Sequence, residues 1–406
     1  MKHCNRFAGR AFSLLTAVMA LSVVNVSAQA ATAFVNLTST AQTVRGFGGA
    51  SVWLGALTDA EMNSLFGNGN SNQIGFSVLR VRIAPQGSSQ WTSERSNAQK
   101  AIARGAIVIA SPWSPPASMK TNNNIVGGSL KPTSYAAYAA HLKSFVDYMA
   151  AGGVNLYGVS IQNEPDIRVT YESCDWTAAQ MVDFLRTHGT AIGGTRLIAA
   201  ESFNFNKGMT DPILNDSAAA ARTSIIGGHI YGAGLADYPL ARSKGKEVWM
   251  TEHLENNTDW AGALRTGKEI HDSMTVGNFS AYLWWYLKRS YGPINDSGAV
   301  TKRGYVMGHF AKFVRPGYVR ANATYNPSPN IFVSAYKGAK VVIIAINQGN
   351  STVNQTFTVQ NGSVPSVTAI RTSSSQNMAT VGTITLSGGS FTTTLPAQSI
   401  TTFVQN

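Results

Sequence analysis

Acidic residues and cysteine are scarce in this chain. Asp and Glu number 20 in 406 residues against 32 Lys and Arg, and there are two cysteines. Charged residues make up 13%, about half the usual share of a soluble domain. Two cysteines exclude a disulfide scaffold. No Cys/His spacing fits a zinc site, so no metal and no organic cofactor is expected. A dinucleotide or P-loop fingerprint is also missing: Gly46-Phe47-Gly48-Gly49-Ala50 has glycines without the GxGxxG spacing. Such glycines serve tight packing or close approach of a ligand. Hydrophobic content of 44% is too high for global disorder. The net charge of +12 leaves nucleic acid, an anionic membrane or an acidic substrate as partner classes. The basic residues are scattered, without the interleaved aromatics of a nucleic-acid stripe, so nucleic acid is not expected.

Lys2, Arg6 and Arg10 precede an apolar run from Ala11 to Val26, followed by Ser27-Ala28-Gln29-Ala30. A basic start, an apolar stretch too short for a comfortable span and small residues at −3 and −1 are the layout of a secretory signal peptide over 1–30. An uncleaved membrane anchor is the alternative reading. Cleavage removes three positive charges, taking +12 to +9, and leaves Cys174 as the single thiol. No later stretch is long and apolar enough to cross a bilayer. The expected product is secreted (extracellular or periplasmic), free of the membrane and monomeric.

From about Gly46 to Phe313, short apolar runs alternate with amphipathic stretches. Candidate strands are Gly46–Ser51, Phe76–Ile83, Ala106–Ser111, Tyr157–Asn163, Leu197–Ser202, Ile225–Tyr231, Glu247–Glu252 and Ala281–Tyr286. Helical spacing places Tyr135, Tyr138, Ala139, Leu142, Phe145, Val146 and Met149 on one stripe. Helices are also expected over 177–187 and 261–274. Eight strands alternating with helices over this length predict a (β/α)8 TIM barrel in residues 46–313, an α/β fold. The tail is rich in Ser, Thr and Val and lacks helical periodicity. Candidate strands at 331–336, 341–347, 356–360, 384–387 and 399–404 predict an attached all-β domain.

Active residues of such barrels project from the C-terminal ends of the strands. The fourth candidate strand ends Gln162-Asn163-Glu164 and the seventh ends Met250-Thr251-Glu252. Glutamate is a poor strand former and costly to bury, so its place at the end of an apolar strand points to use. Two carboxylates across a barrel mouth permit glycosidic cleavage; a separation of about 5–5.5 Å makes one a nucleophile and the other an acid/base, with retention of configuration. In that scheme Glu164 is the acid/base, Glu252 the nucleophile, and Asn163 a partner for the sugar 2-OH. Arg80 can hydrogen-bond Glu252, and Tyr231 can orient it. Trp53 and Trp113 can floor sugar subsites, as can Tyr171 and Trp176 in the loop after the fourth strand. Alternation in a strand lets only one of Trp284 and Trp285 face the lumen. His253 should point away from Glu252, and Cys174, with no base near it, is expected to be inert.

Several longer motifs carry a resemblance. Thr43-Val44-Arg45-Gly46-Phe47-Gly48-Gly49-Ala50, Ser111-Pro112-Trp113-Ser114-Pro115-Pro116, Asn163-Glu164-Pro165 and Leu283-Trp284-Trp285-Tyr286 resemble glycoside hydrolase family 30. Arg289-Ser290-Tyr291-Gly292-Pro293, Lys302-Arg303-Gly304-Tyr305 and Phe313-Val314-Arg315-Pro316-Gly317-Tyr318 resemble its bacterial glucuronoxylan endo-1,4-β-xylanases. The resemblance implies a β-sandwich built from residues 31–45 plus 314–406, Glu164 as acid/base and Glu252 as nucleophile. It implies xylan as substrate, with Arg289 pairing the carboxylate of a glucuronic acid branch beside Tyr291 and Trp285. An arginine fork suits a carboxylate, and an indole suits a sugar face.

One loop departs from that pattern. After Glu252 the chain reads His253-Leu254-Glu255-Asn256-Asn257-Thr258-Asp259-Trp260. Leu254 stands where a Tyr is expected and Asn257 near an expected Ser, while Glu255 and Asp259 add negative charge. Losing two donors to an anion costs about 1.5–3 kcal/mol each, so dependence on the acidic branch is expected to be weakened. The rival readings are a glycosidase of the same family acting on β-1,6-glucan, glucosylceramide or a β-xyloside end, and a noncatalytic polysaccharide-binding protein.

Overall fold

A computed structural model describes residues 28, 29, 31–232 and 234–406; the expected leader lies almost wholly outside these residues. Among the described residues no helix is long and apolar enough to cross a membrane.

Eight parallel strands close a barrel in chain order: Gly46–Ala50, Val78–Ile83, Ile107–Pro112, Gly158–Ser160, Arg196–Ser202, Thr223–His229, Glu247–Glu252 and Ala281–Tyr286, with the last pairing back onto the first. The predicted runs all become barrel strands with end shifts of a few residues. The fourth stops earliest, at Ser160 rather than Asn163. Beyond it the backbone leaves the regular ladder and bonds to both neighbouring strands in turn. Asn163 N–H donates to Pro112 C=O at 2.8 Å and Glu164 N–H to Glu201 C=O at 2.9 Å. The glycines of the first strand serve packing: a Cβ on Gly48 would sit 1.7 Å from the Val78 carbonyl oxygen. That strand crosses its neighbour more closely than any side chain allows.

The barrel floor is filled by Val78, Ile109, Ile198, Ile225, Trp249, Ala281 and Leu283. A larger apolar layer lies between the barrel and its helices. Helix Tyr135–Ala151 buries all seven residues of its predicted stripe. Helix Ala178–His188 starts at a Thr177–Gln180 capping box and helix Trp260–Thr275 at an Asp259 cap, each cap satisfying otherwise unpaired N–H groups.

The tail forms a β-sandwich with its own core, including Val35, Leu37, Val333, Ile343, Phe357, Phe391 and Phe403. Strand Ala33–Thr43 lies inside this sheet, parallel to Val353–Gln360 and antiparallel to Val319–Ala323. The strand expected at 384–387 is instead Ala379–Thr385. A turn through Gly388 and Gly389, both at positive φ, leads into Ser390–Leu395. Neither Ser390–Leu395 nor Ser366–Thr372 is evident in the sequence, because their Thr- and Ser-rich faces dilute the apolar alternation. His309, on helix Lys302–Ala311, joins the two units: its ring nitrogens sit 2.7 Å from Thr402 Oγ1 and 2.8 Å from Thr372 Oγ1, fully buried.

Candidate active site

The barrel strands bring Glu164 and Glu252 to one mouth, with carboxylate oxygens within 4.8 Å of one another. Both side chains are almost fully buried. Glu252 is gripped at both oxygens: Arg80 Nη1 lies 2.5 Å from Oε2, and Tyr231 O–H donates to Oε1 at 2.9 Å. Glu164 meets His229 Nδ1 at 2.9 Å through Oε1 and accepts from Tyr171 O–H at 3.3 Å through Oε2.

Beneath them lies a third acid that the sequence reading missed. Glu201, on the fifth strand, is fully buried and pairs with Arg80 Nη2 at 3.2 Å. It also accepts from Ser111 O–H at 2.7 Å. The signal was close to the one used for the other two glutamates: Ala199-Ala200-Glu201-Ser202 places an acid one residue before the end of an apolar strand. Arg80 spans this floor, reaching Ser111, Asn163, Glu201 and Glu252. Asn163 therefore spends its side-chain oxygen on Arg80 at 2.6 Å, and its amide N–H groups remain as donors for an approaching ligand.

Burial is the largest influence on these groups. It pushes the Glu252 carboxyl above its ordinary range, and Glu164 pushes the same way, while His229 and Arg80 pull it back. Burial also opposes charge on Glu201, but Arg80 and His229 outweigh it and hold that carboxyl low. His229 is raised: burial opposes its charge, and the Glu252 and Glu164 carboxylates overcome it. The Tyr231 phenol is pushed far up by burial and the two glutamates, so it stays a donor.

Glu164, His229 and Glu252 could each offer one atom to a metal ion. Arg80 already places a cation on Glu252, and a dication beside it would meet that repulsion. The set is better matched to holding and moving a proton.

Glu164 and Glu201 take left-handed backbone angles, φ 45° and 50°, as does Trp53 at φ 57°. Such conformations cost on the order of 1–3 kcal/mol in non-glycine residues and cluster at active sites. The Glu164 and Glu201 side chains so placed meet His229 and Arg80.

The cavity above the carboxylates has a volume of about 370 Å³ and is walled by Trp53, Trp113, Trp285, Tyr171, Phe203, Tyr231, Leu254 and Tyr286. Trp53 is 41% exposed at the rim and stands edge-on to Trp285 at 6.2 Å. Trp285 faces this cavity, while Trp284 is buried in the helical layer under Arg303. Trp176 does not reach the cavity. It stacks on Tyr135 at 6.0 Å and donates to Gln162, the hydrophobic anchor of its loop. His253 turns outward to Glu269, and burial raises the Cys174 thiol to about 12, which makes it inert.

Arg289 and Tyr291 lie on the loop beyond the eighth strand, outside the cavity wall. The Arg289 guanidinium is 4.5 Å from the ring centre of Tyr286, which does line the cavity. Among the described residues no carboxylate pairs with Arg289; Glu61 is taken by its neighbour Lys288 at 2.6 Å. Tyr291 is half-buried against the main core. The expected acidity of the loop after Glu252 is not delivered to the site. Glu255 pairs with Arg265, and Asp259 caps the following helix by accepting from Gly262 N–H.

Residues 85–251 match the family model described as the glycosyl hydrolase family 30 TIM-barrel domain. The chain is 46% identical over 412 residues to glucuronoxylanase XynC of Bacillus subtilis strain 168, covering 97% of this chain and 96% of that one. It superimposes with a TM-score of 0.89 and 49% identity on Xyn30A, a family 30 subfamily 8 xylanase from Clostridium acetobutylicum, over 92% of this chain and 99% of that one. The family 30 endoxylanase of Clostridium papyrosolvens gives 0.86 and 45% over 92% and 100%.

Proposed function

This chain belongs to glycosyl hydrolase family 30, and from that premise we propose that it is a retaining endo-β-1,4-xylanase using Glu164 as acid/base and Glu252 as nucleophile. The observation that carries the proposal is that one oxygen of each carboxylate lies within 4.8 Å of one oxygen of the other, whereas the carboxyl groups of an inverting enzyme stand roughly 6.5–9.5 Å apart to leave room for a water. Glu164 protonates the leaving oxygen while Glu252 attacks the anomeric carbon, and the glycosyl–Glu252 ester forms. Glu164 then takes a proton from water, which attacks the same carbon and frees Glu252. Arg80 and Tyr231 hold the Glu252 carboxylate in place, and Asn163 N–H faces the sugar hydroxyl. The three indoles and Tyr171 give flat apolar faces to xylose rings. The relatives named glucuronoxylanase, and those described as family 30 xylanases, support the substrate class.

Arg289 serves as the anchor for a glucuronate branch. Its lack of an acidic partner among the described residues and its seat on Tyr286 support this, and an arginine fork binds a carboxylate in bidentate fashion. Leu254 in the cavity wall supplies no hydrogen bond there, so reliance on the branch is reduced. The basic, apolar, small-residue start supports export, and a monomer acting on polysaccharide, with no nucleic-acid partner, completes the reading.

Glu252→Gln should abolish turnover of xylan by on the order of 10⁴-fold or more; wild-type activity in that variant would overturn the assignment. Arg289→Ala should lower kcat/KM on glucuronoxylan by about 10- to 100-fold and leave undecorated xylo-oligosaccharides unaffected. Equal losses on both, or none, would remove the anchor.

A further inference from the structure

Arg80 and Arg82 are two apart on the second strand, so both side chains leave its inner face. Arg80 serves the carboxylates. Arg82, nearer the mouth, makes a forked pair with Glu172: Nε lies 2.9 Å from Oε2, and Nη2 contacts Oε1. Both side chains are only 11% exposed. The same guanidinium lies 5.5 Å from the ring centre of Trp53, and Trp53 stands edge-on to Tyr171 at 6.3 Å. Tyr171, next to Glu172 in the loop after the fourth strand, donates to Glu164.

Three elements thus meet at one ion pair. The first-strand loop brings Trp53, the second strand Arg82, and the fourth-strand loop Tyr171 and Glu172. Trp53 adopts a left-handed backbone and is 41% exposed, so its ring is held by the side chains around it, Trp113 and Trp285 together with Arg82 and Tyr171. The Arg82 fork is planar and stacks on an aromatic face while holding a carboxylate in its plane. On its other side the Tyr171 loop is pinned by Lys120, whose Nζ donates to the Ser173 carbonyl at 2.5 Å.

We propose that Arg82 and Glu172 are positioning residues that hold the Trp53 sugar platform and the Tyr171 hydroxyl in register, coupling ring stacking at the rim to proton donation by Glu164. This rests on the roles given above to Glu164 and Glu252. Neither Arg82 nor Glu172 touches the reacting atoms. A sugar seated on Trp53 presses on the same side chains that fix the donor to Glu164, so occupancy of the rim and orientation of the acid rise together.

The test compares Glu172→Gln, Tyr171→Phe and their double variant on glucuronoxylan and on an aryl glycoside of a xylo-oligosaccharide, whose leaving group needs little protonation. Glu172→Gln should lower kcat/KM on both substrates by about tenfold, through loss of the platform, and lower it further on glucuronoxylan, whose leaving oxygen needs the Glu164 proton in the first step. Tyr171→Phe should reproduce that further loss in kcat/KM on glucuronoxylan, and the double variant should be no worse than the more damaged single variant, since both act through one contact. Arg82→Lys keeps the charge and loses the fork, and should behave like Glu172→Gln. Equal kcat/KM losses on both substrates, or strictly additive losses in the double variant, would overturn the coupling. So would wild-type constants once the folded fraction, read from the thermal transition, is allowed for. Full activity of Glu252→Gln would instead sink the reading on which the coupling rests.

Discussion

At the residue scale the site is a charge-balance problem with little slack. Three carboxylates share a buried pocket with Arg80 and His229. Removing one partner of a buried pair leaves an uncompensated charge at a cost of about 3–5 kcal/mol. Arg80→Met should therefore destabilise the protein by that order in denaturant titration and also abolish turnover, because Glu252 loses its grip. His229 gives a signed prediction. Its raised value means that the folded state holds the proton more tightly than the unfolded chain, whose ordinary value is 6.5. The stabilisation from charged His229 is fully present below pH 6.5 and is lost as pH rises through the higher folded value. The stability difference between wild type and His229→Asn should be constant at acid pH and shrink above 6.5. A difference that grows with pH would show that His229 is held neutral.

At the element scale the sequence was readable where an element's own pattern decides its form. Strand Glu247–Glu252 keeps its predicted bounds because an apolar run stops at a buried acid. Helix Tyr135–Ala151 buries its predicted stripe because periodicity and packing agree. The fourth strand ends earlier than its apolar pattern predicts because Ile161 bonds to one neighbouring strand and Asn163 to the other, a tertiary effect no local pattern encodes. Glu201 went unread although its strand was placed, since a penultimate acid followed by Ser looks like a loop entry. Trp176 and Tyr171 share a loop, and only contacts separate core anchor from cavity wall. The caps give an independent check. Thr177→Ala should cost about 1 kcal/mol, seen as a lower Tm with kcat unchanged, because helix Ala178–His188 lies away from the cavity.

At the scale of the whole molecule the sandwich is built into the barrel rather than strung from it. Its strand Ala33–Thr43 precedes the barrel and its remainder follows, so segments from before and after the barrel meet in one sheet. His309 bonds two sandwich threonines, and the Trp260 indole donates to the Gln398 carbonyl at 3.0 Å. Burial lowers His309 to about 3, which keeps it neutral at this joint. Unfolding should be a single transition, with calorimetry and tryptophan fluorescence coincident; two separated transitions would show that the units are independent. The net charge of +12 acts only over a screening length of about 8–10 Å, so in the proposed function the contact with an acidic branch is assigned to a single residue, Arg289.

The central claim is that Glu252 forms a covalent bond to the sugar while Glu164 moves the proton. Incubation with a 2-fluoro xylo-oligosaccharyl fluoride followed by peptide mass spectrometry tests it most directly. The account predicts one adduct, on the peptide bearing Glu252 and carried by that residue. An adduct on Glu164 or Glu201, or full turnover of the reagent to an inverted product with no adduct, would contradict it.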